Sequence, residues 1–287
     1  MKRLAVLTAA VSLLAAACAQ LPGTPKEGAP PKESKAPKPE HAKFTSSCTF
    51  SHRASDDPIV FPGQAGASHS HDFWGNVSTS ASSTYDSLRT APATSCEPSP
   101  ADFAAYWIPT LLLDGQPIPP EHVTVYYRAG VTDLSSIEAF APGLMMIAGD
   151  PQATVPQSSG IASWGCTEGG IHDAHQAPVC PTGAKLKLQV TFPSCWDSAH
   201  LDSPDHRSHM AYPIAGACPD SHPVPVPKVT YFVKYPISGG DVTLSSGSTM
   251  GTHGDFVNSW DQAELARRVV DCLRAGVQCG PDGVPKI

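Results

Sequence analysis

The chain has 287 residues and a formal net charge of −7, which excludes a broad electrostatic grip on nucleic acid, since phosphate binding needs a basic surface. Its 30 prolines and nine cysteines imply long ordered loops pinned by disulfides.

The first residues, MKRLAVLTAAVSLLAAACAQ, read as a signal peptide over 1–17. Lys2 and Arg3 form the basic end, and Leu4 to Ala17 form an apolar run too short to span a bilayer. Cys18 follows the small residues Ala15, Ala16 and Ala17, where a bacterial lipoprotein carries its acylated cysteine; ordinary cleavage, with Cys18 incidental, is the alternative. Residues 18–43, rich in Pro, Lys, Glu and Ala, cannot bury enough apolar area to offset ordering entropy and read as a lipid-anchored tether. A globular domain is expected over 44–287, of a length ordinary for an all-β sandwich or barrel.

The stretch SHSHDFWGN (68–76) comes next. On a strand the side-chain period of two turns His69 and His71 to one side and Asp72 to the other. Such a pair suits a metal ion or acid–base work; the plainer reading is hydrogen bonding to loop backbone. Strands are then predicted over 108–113, 123–128, 186–192, 229–235 and 241–246, each rich in β-branched or aromatic residues and bounded by Pro, Gly or Asp. Between them, FPSCWDSAHLDSPDHRSHMAYP (192–213) gathers Asp197, His200, Asp202, Asp205, His206, Arg207 and His209 on a loop pinned by Cys195 and Cys218. Rigid loops on a β scaffold are where function concentrates. A third polar stretch, GTHGDFVNSWDQ (251–262), sets His253 and Asp255 two apart. A helix follows, expected to be capped by Ser259 with Gln262 and stopped by Gly276. His172 and His175, in a Gly-rich loop, are weaker ligand candidates. The fold class is thus mainly β: a disulfide-stapled β-sandwich, jelly-roll-like, with long loops and a C-terminal helix.

Beyond Cys18 the cysteines number eight, an even count that favours disulfides over a thiolate metal site. They allow about 105 pairings. Neighbour pairing is expected, with Cys272–Cys279 the clearest case.

The blocks DPIVFPGQAGASHSHDFWGN, STYDSLR, YWIPTLL, FPSCWDSAHLDSPDHRSHMAYP, CPDSHPVPVPKV and HGDFVNSWDQ together resemble the family known as domain of unknown function 1996. It occurs in secreted bacterial and fungal proteins, in fungi often beside carbohydrate-binding wall modules. The resemblance covers roughly residues 48–272. The family's H-x-H-x-F-x-G-N block falls on His69, His71, Phe73, Gly75 and Asn76, and its SPDH-x-SH block on Ser203, Pro204, Asp205, His206, Ser208 and His209. Its H-x-DF block falls on His253, Asp255 and Phe256. In CWDSAH this chain has Ser198 where the family usually shows glycine. The resemblance supplies site positions and no mechanism.

The expected function is an exported, envelope-tethered polysaccharide lyase or hydrolase, with the polar blocks converging on one cleft. His71, His206 and His209 would be the acid–base groups, oriented by Asp205 and Asp255, with Arg207 for an acidic sugar. His69, His71 and His253 would hold one divalent metal ion, and Trp74, Asn76, Trp196 and Tyr212 would contact a cell-wall glycan. The competing class is a non-catalytic carbohydrate- or metal-binding wall module. The chain is expected to be a monomer that meets the membrane only through its lipid anchor. Labelling of the exported protein by a fatty-acid probe is expected to vanish in Cys18→Ser; undiminished labelling would rule out acylation there.

Overall fold

The computed structural model describes Pro39, 41–90 and 93–286. The signal segment, Cys18 and most of the tether lie outside the described residues. Ten strands build two five-stranded antiparallel sheets: β1 (Lys43–Cys48), β2 (His52–Ala54), β3 (His71–Gly75), β4 (Ala105–Pro109) and β5 (His122–Arg128), followed by β6 (Met145–Gly149), β7 (Ala162–Cys166), β8 (Leu186–Thr191), β9 (Lys228–Lys234) and β10 (His253–Val257). The first sheet runs β1-β5-β9-β8-β7 and the second β2-β3-β4-β10-β6.

Strands of the first sheet alternate as a half-covered sheet should. In β5, Val123, Val125 and Tyr127 are buried while His122, Thr124, Tyr126 and Arg128 are only partly so. The second sheet is covered on both faces, and β3, β4 and β10 are buried along their whole length. Its inner face packs on the first sheet, with Trp74 and Tyr106 edge-on to Tyr231 at centroid distances of 5.1 and 5.7 Å. Its outer face carries a smaller core of Phe73, Trp107, Ile147 and Val257, closed by Ile59 and Leu88. Leu88 comes from helix α1 (Tyr85–Thr90).

Several sequence expectations meet the structure directly. The domain is mainly β, stapled, loop-rich and closed by a C-terminal helix, α2 (Gln262–Arg268). The strand expected over 108–113 is two. Pro109 ends β4, and after Thr110 the chain enters a separate small sheet at Leu111–Leu113 with Gln116–Ile118 and Val242–Leu244. A proline offers no N–H to a ladder, so the register of the second sheet stops there. The cap of α2 is Asp261, whose carboxylate accepts from Glu264 N at 3.1 Å, and not Ser259. Ser259 instead donates its hydroxyl to the Phe103 carbonyl, tying the approach to the helix onto the residue before Ala104. Gly276 does close the segment, at φ +68°.

The disulfides pair sequence neighbours: Cys48–Cys96, Cys166–Cys180, Cys195–Cys218 and Cys272–Cys279. Four such bonds belong to an oxidising compartment. Among the described residues no helix is long and apolar enough to cross a membrane.

Between the sheets lies one polar thread. Tyr106 Oη donates to the Asp102 carboxylate at 2.7 Å, Tyr127 donates in turn to Tyr106, and Trp260 Nε1 donates to Tyr127 Oη at 2.8 Å. Burial pushes the Asp102 carboxyl up to about 6 despite these bonds. It fixes the relative position of β4, β5 and the entry to α2.

Gly75 closes β3 at φ +79°, and a Cβ there would lie 2.1 Å from the Ala104 carbonyl oxygen. Left-handed backbone and a backbone clash act together, so Gly75→Ala is expected to cost about 2 kcal/mol or more. Urea unfolding measures this, and an unchanged midpoint would show that β3 can shift.

Candidate metal centre and its cleft

Sheet register assembles the histidines. Trp107 of β4 stands opposite Phe73 of β3 on one side and Asp255 of β10 on the other. Two residues along each outer strand, His71 and His253 therefore share the outer face at one level, with Pro109 between them. His69 lies two residues ahead of β3 in extended chain, so it falls on the same side. The pyrrolidine of Pro109 sends no long side chain between the rings, which meet above it. Ring centroids are 4.2 Å apart for His69 and His71, 5.1 Å for His69 and His253, and 6.0 Å for His71 and His253.

Backbone carbonyls decide which nitrogens point inward. His71 Nδ1–H donates to the Asp56 carbonyl at 2.9 Å, and His253 Nδ1–H donates to the Gly251 carbonyl at 2.8 Å. A carbonyl can only accept, so in the neutral rings both Nε2 atoms carry lone pairs. His71 Nε2 is buried without a partner among the described residues, and His253 Nε2 lies 3.2 Å from His69 Nε2. Each ring offers one donor atom within 4.8 Å of the others. Burial holds His253 down to about 3 and also lowers His69 and His71, the last further through its two neighbours. Near neutral pH the three rings are therefore uncharged. Three converging imidazole nitrogens fit a divalent ion of borderline softness.

The cluster borders a cleft of about 500 Å³ that His69 and His253 line together with Asp150, His206, Arg207 and Asp255. Asp255 follows the strand period from His253 onto the same face. It is fully buried, and its Oδ2 has no hydrogen-bond partner among the described residues. Burial, and then the Asp57 charge, push its carboxyl well above the usual carboxylate range, with Arg207 opposing.

The opposite wall is the 197–209 loop. His206 sits in left-handed backbone at φ +58°, and its Nδ1 pairs with Asp202 Oδ2 at 2.8 Å. A non-glycine residue held there is strained, as residues at functional sites often are. The carboxylate orients the ring and leaves Nε2 for other partners. Asp205 does not orient a histidine. Its Oδ1 accepts from Ser203 Oγ, Ser208 Oγ and the Ser208 and Arg207 amides at distances between 2.7 Å and 3.1 Å, and so folds the loop. Those bonds, the Ser208 amide foremost, hold its carboxyl well below the usual range. Arg207 Nη1 donates to the Gly149 carbonyl at 2.6 Å, which anchors it beside the strand position paired with His253.

The other expected site residues have other places. His209 is buried, with Nδ1 at Ser203 Oγ and Nε2 donating to the Met145 carbonyl at 2.7 Å. Both its nitrogens are committed, so it braces the loop and is no acid or base. Trp74 is fully buried between the sheets and cannot stack on a sugar. Asn76 is also buried, donating to the Leu88 carbonyl at 2.9 Å and accepting from Ser78, which is turn chemistry. Trp196 donates Nε1 to the His200 carbonyl at 2.6 Å and lies outside the cleft, as do His172 and His175. Tyr212 lines an adjoining hollow of about 240 Å³ that shares Ile147, Asp150 and Arg207 with the cleft. Sequence reasoning missed Asp202 as a partner of His206, although their spacing of four was legible. It also missed Asp57 and Asp150, whose loops show no motif.

A stapled β-sandwich with three converging histidines on the covered face of one sheet defines the class of this domain. The chain belongs to the family described as domain of unknown function (DUF1996), whose model matches residues 57–260. No curated protein and no solved structure matches it.

Asp205→Ala should speed hydrogen exchange at the Arg207 and Ser208 amides about tenfold or more while sparing β3 and β10. Because the folded carboxyl titrates below its unfolded value, its contribution is complete above the ordinary carboxylate range. That contribution is lost as pH falls through the folded value. Unchanged exchange would show that the disulfide Cys195–Cys218 alone holds the loop.

Proposed function

We propose that this domain is a metal-dependent, exported polysaccharide lyase, lipid-anchored through Cys18 and acting as a monomer, with His69, His71 and His253 holding one divalent ion. One observation carries the reading. Two buried imidazoles have their Nδ1 atoms committed to carbonyls, so their Nε2 lone pairs are directed at a third ring. A proton on His69 Nε2 can meet the His253 lone pair, but only a cation among the three rings meets that of His71 as well, and orientation of metal-ligating rings by bonds from the other nitrogen is the usual supporting arrangement.

When bound, the ion supplies Lewis acidity that neutralises a uronate carboxylate. The chain's own residues do the rest. Arg207, charged and free of carboxylate partners among the described residues, holds an acidic group of the sugar. His206, oriented by Asp202, takes the proton α to the carboxylate. The electron pair of that C–H bond forms the new double bond as the bond from C4 to the glycosidic oxygen breaks, and the departing oxygen takes a proton from water. Elimination is read in preference to hydrolysis because it needs one oriented base, which His206 with Asp202 can supply, and no pair of carboxyls flanking the bond.

Metal analysis of protein purified without chelator is expected to find one divalent ion per chain. His253→Ala should cost at least the roughly 10–100-fold typical of losing a supporting contact. On uronate polymers the protein should generate the ultraviolet absorbance of an unsaturated product, and His206→Ala should cut that rate about a hundredfold or more. Reducing ends without that absorbance would mean a hydrolase. Glycan binding with no turnover across uronate and neutral polymers would mean a binding module, and absence of bound metal under every divalent ion tried would overturn the centre.

A further inference from the structure

The outer face of the first sheet carries a feature that the metal cleft does not use. Register places Lys43 of β1, Arg128 of β5 and Lys228 of β9 on a single rung. Like charges directly opposite on neighbouring strands destabilise a sheet. Among the described residues none of the three pairs with a carboxylate within 4.0 Å, and neither does Lys187 on β8. The chain as a whole is acidic, so this concentration of unpaired cations is not the background of the surface. A hollow of about 550 Å³ lies over Lys43, Arg128, Ala129 and Lys228. Burial lowers the pKa of Lys228, and the neighbouring Arg128 lowers it further, so an anion in the hollow would relieve both.

Beside the cations stand two rings. Tyr126 and Phe232 meet edge-on at 5.1 Å, partly exposed on the same outward face. The Arg128 guanidinium lies 4.4 Å from the Tyr126 centroid, and the Lys187 ammonium 5.6 Å from that of Phe232. Aromatic faces next to unpaired cations suit a ligand with apolar C–H faces and regular negative charge. Neighbouring strands are about 4.8 Å apart, close to the length of one pyranose residue in an extended chain. Successive residues of an extended polyuronate turn over, so carboxylates on one side recur at about two residues, close to the two strand spacings that separate Lys43 from Lys228.

We infer that the outer face of the first sheet is a docking surface for a linear acidic polysaccharide of the polyuronate class, with Lys43, Arg128 and Lys228 taking its carboxylates and Tyr126 and Phe232 its sugar faces. This surface is built on the opposite sheet of the sandwich from the metal centre. It holds the domain on an acidic matrix independently of the cleft, and it would stand if the catalytic reading failed.

The test is calorimetric binding of size-defined oligogalacturonate to the full chain, repeated in a His253→Ala/Arg207→Gln background so that neither the metal centre nor the cleft's own cation contributes. Fully methyl-esterified oligogalacturonate, which keeps the sugar faces and loses the charge, is the control. The acidic oligomer is expected to bind in both backgrounds, at least tenfold more tightly than the ester, with affinity falling as salt rises. Lys228→Gln and Arg128→Gln should each weaken binding several-fold, and the double variant more than tenfold, with thermal unfolding checking that the sheet persists. Tyr126→Ala should weaken binding without changing the salt dependence. Undiminished binding by the double variant, equal binding of the ester, or no binding at all would overturn the inference. So would tighter binding of a single-stranded oligonucleotide or polyphosphate of equal charge, which would make the surface a phosphate site.

Discussion

The Tyr231 side chain joins the two sheets and, through them, the metal centre. Its ring is packed by Trp74, Tyr106 and Phe192, and its hydroxyl donates to the main-chain carbonyl of Asp255 at 2.7 Å. Asp255 belongs to β10, whose side chains alternate between the sandwich interior and the outer face. The bond therefore sets the depth of β10 from inside while His253 and Asp255 project from the other side. A shift of β10 by one residue would turn His253 and Asp255 into the aromatic interior and Phe256 out of it, so packing of Phe256 against Tyr106, Phe140 and Phe192 holds the register.

That constraint explains how the outer face tolerates its chemistry. His71 Nε2, Trp107 Nε1 and Asp255 Oδ2 are buried on that face of the second sheet without partners among the described residues. Each such atom costs about 1–3 kcal/mol in lost solvation, and a fold selected for stability alone would have filled the face with apolar side chains. The adjacent core of Phe73, Trp107, Ile147 and Val257 shows that the sheet can be covered that way. The expense is confined to the end of the sheet where β3 and β10 present histidines beside Pro109. Buried polar atoms gathered at one place, next to an open cleft, are the expected mark of a site whose ligand completes them.

How far the sequence revealed this follows from which rules operate locally. Strand alternation exposed β5, β8 and β9 because one face of the first sheet is open to solvent. It failed for β4, β6 and β10, which are covered on both faces and whose residues show no polar side to read. The pairing of His69 with His71, and of His253 with Asp255, was legible because a period of two is a property of any strand. Their meeting across β4 was not, since register is fixed by packing between the sheets. The misplaced aromatics have the same origin. Trp74 directly follows Phe73, so when one faces the outer core the other must enter the sandwich. His206 and Asp202 were hard to pair because the turn that joins them requires left-handed backbone at His206, a conformation uncommon for any non-glycine residue. Three of the disulfides could be guessed because they close excursions of 14, 23 and 7 residues, whereas Cys48–Cys96 spans 48 residues and followed only as the remaining neighbour pair.

The two outer faces of the sandwich differ in a way that follows from their covering. On the second sheet, the loops around Asp57 and His206 exclude water and make each ionisable group expensive, so charge is arranged sparingly and around one centre. On the first sheet the rung of Lys43, Arg128 and Lys228 is only partly buried, and its cations stand where solvent and salt can screen them. Their repulsion is then small enough for the fold to keep and large enough for an anion to gain by neutralising it. A buried cluster suited to one small cation and an open row suited to many anions are different solutions to a single electrostatic problem. Each is placed on the face whose dielectric allows it.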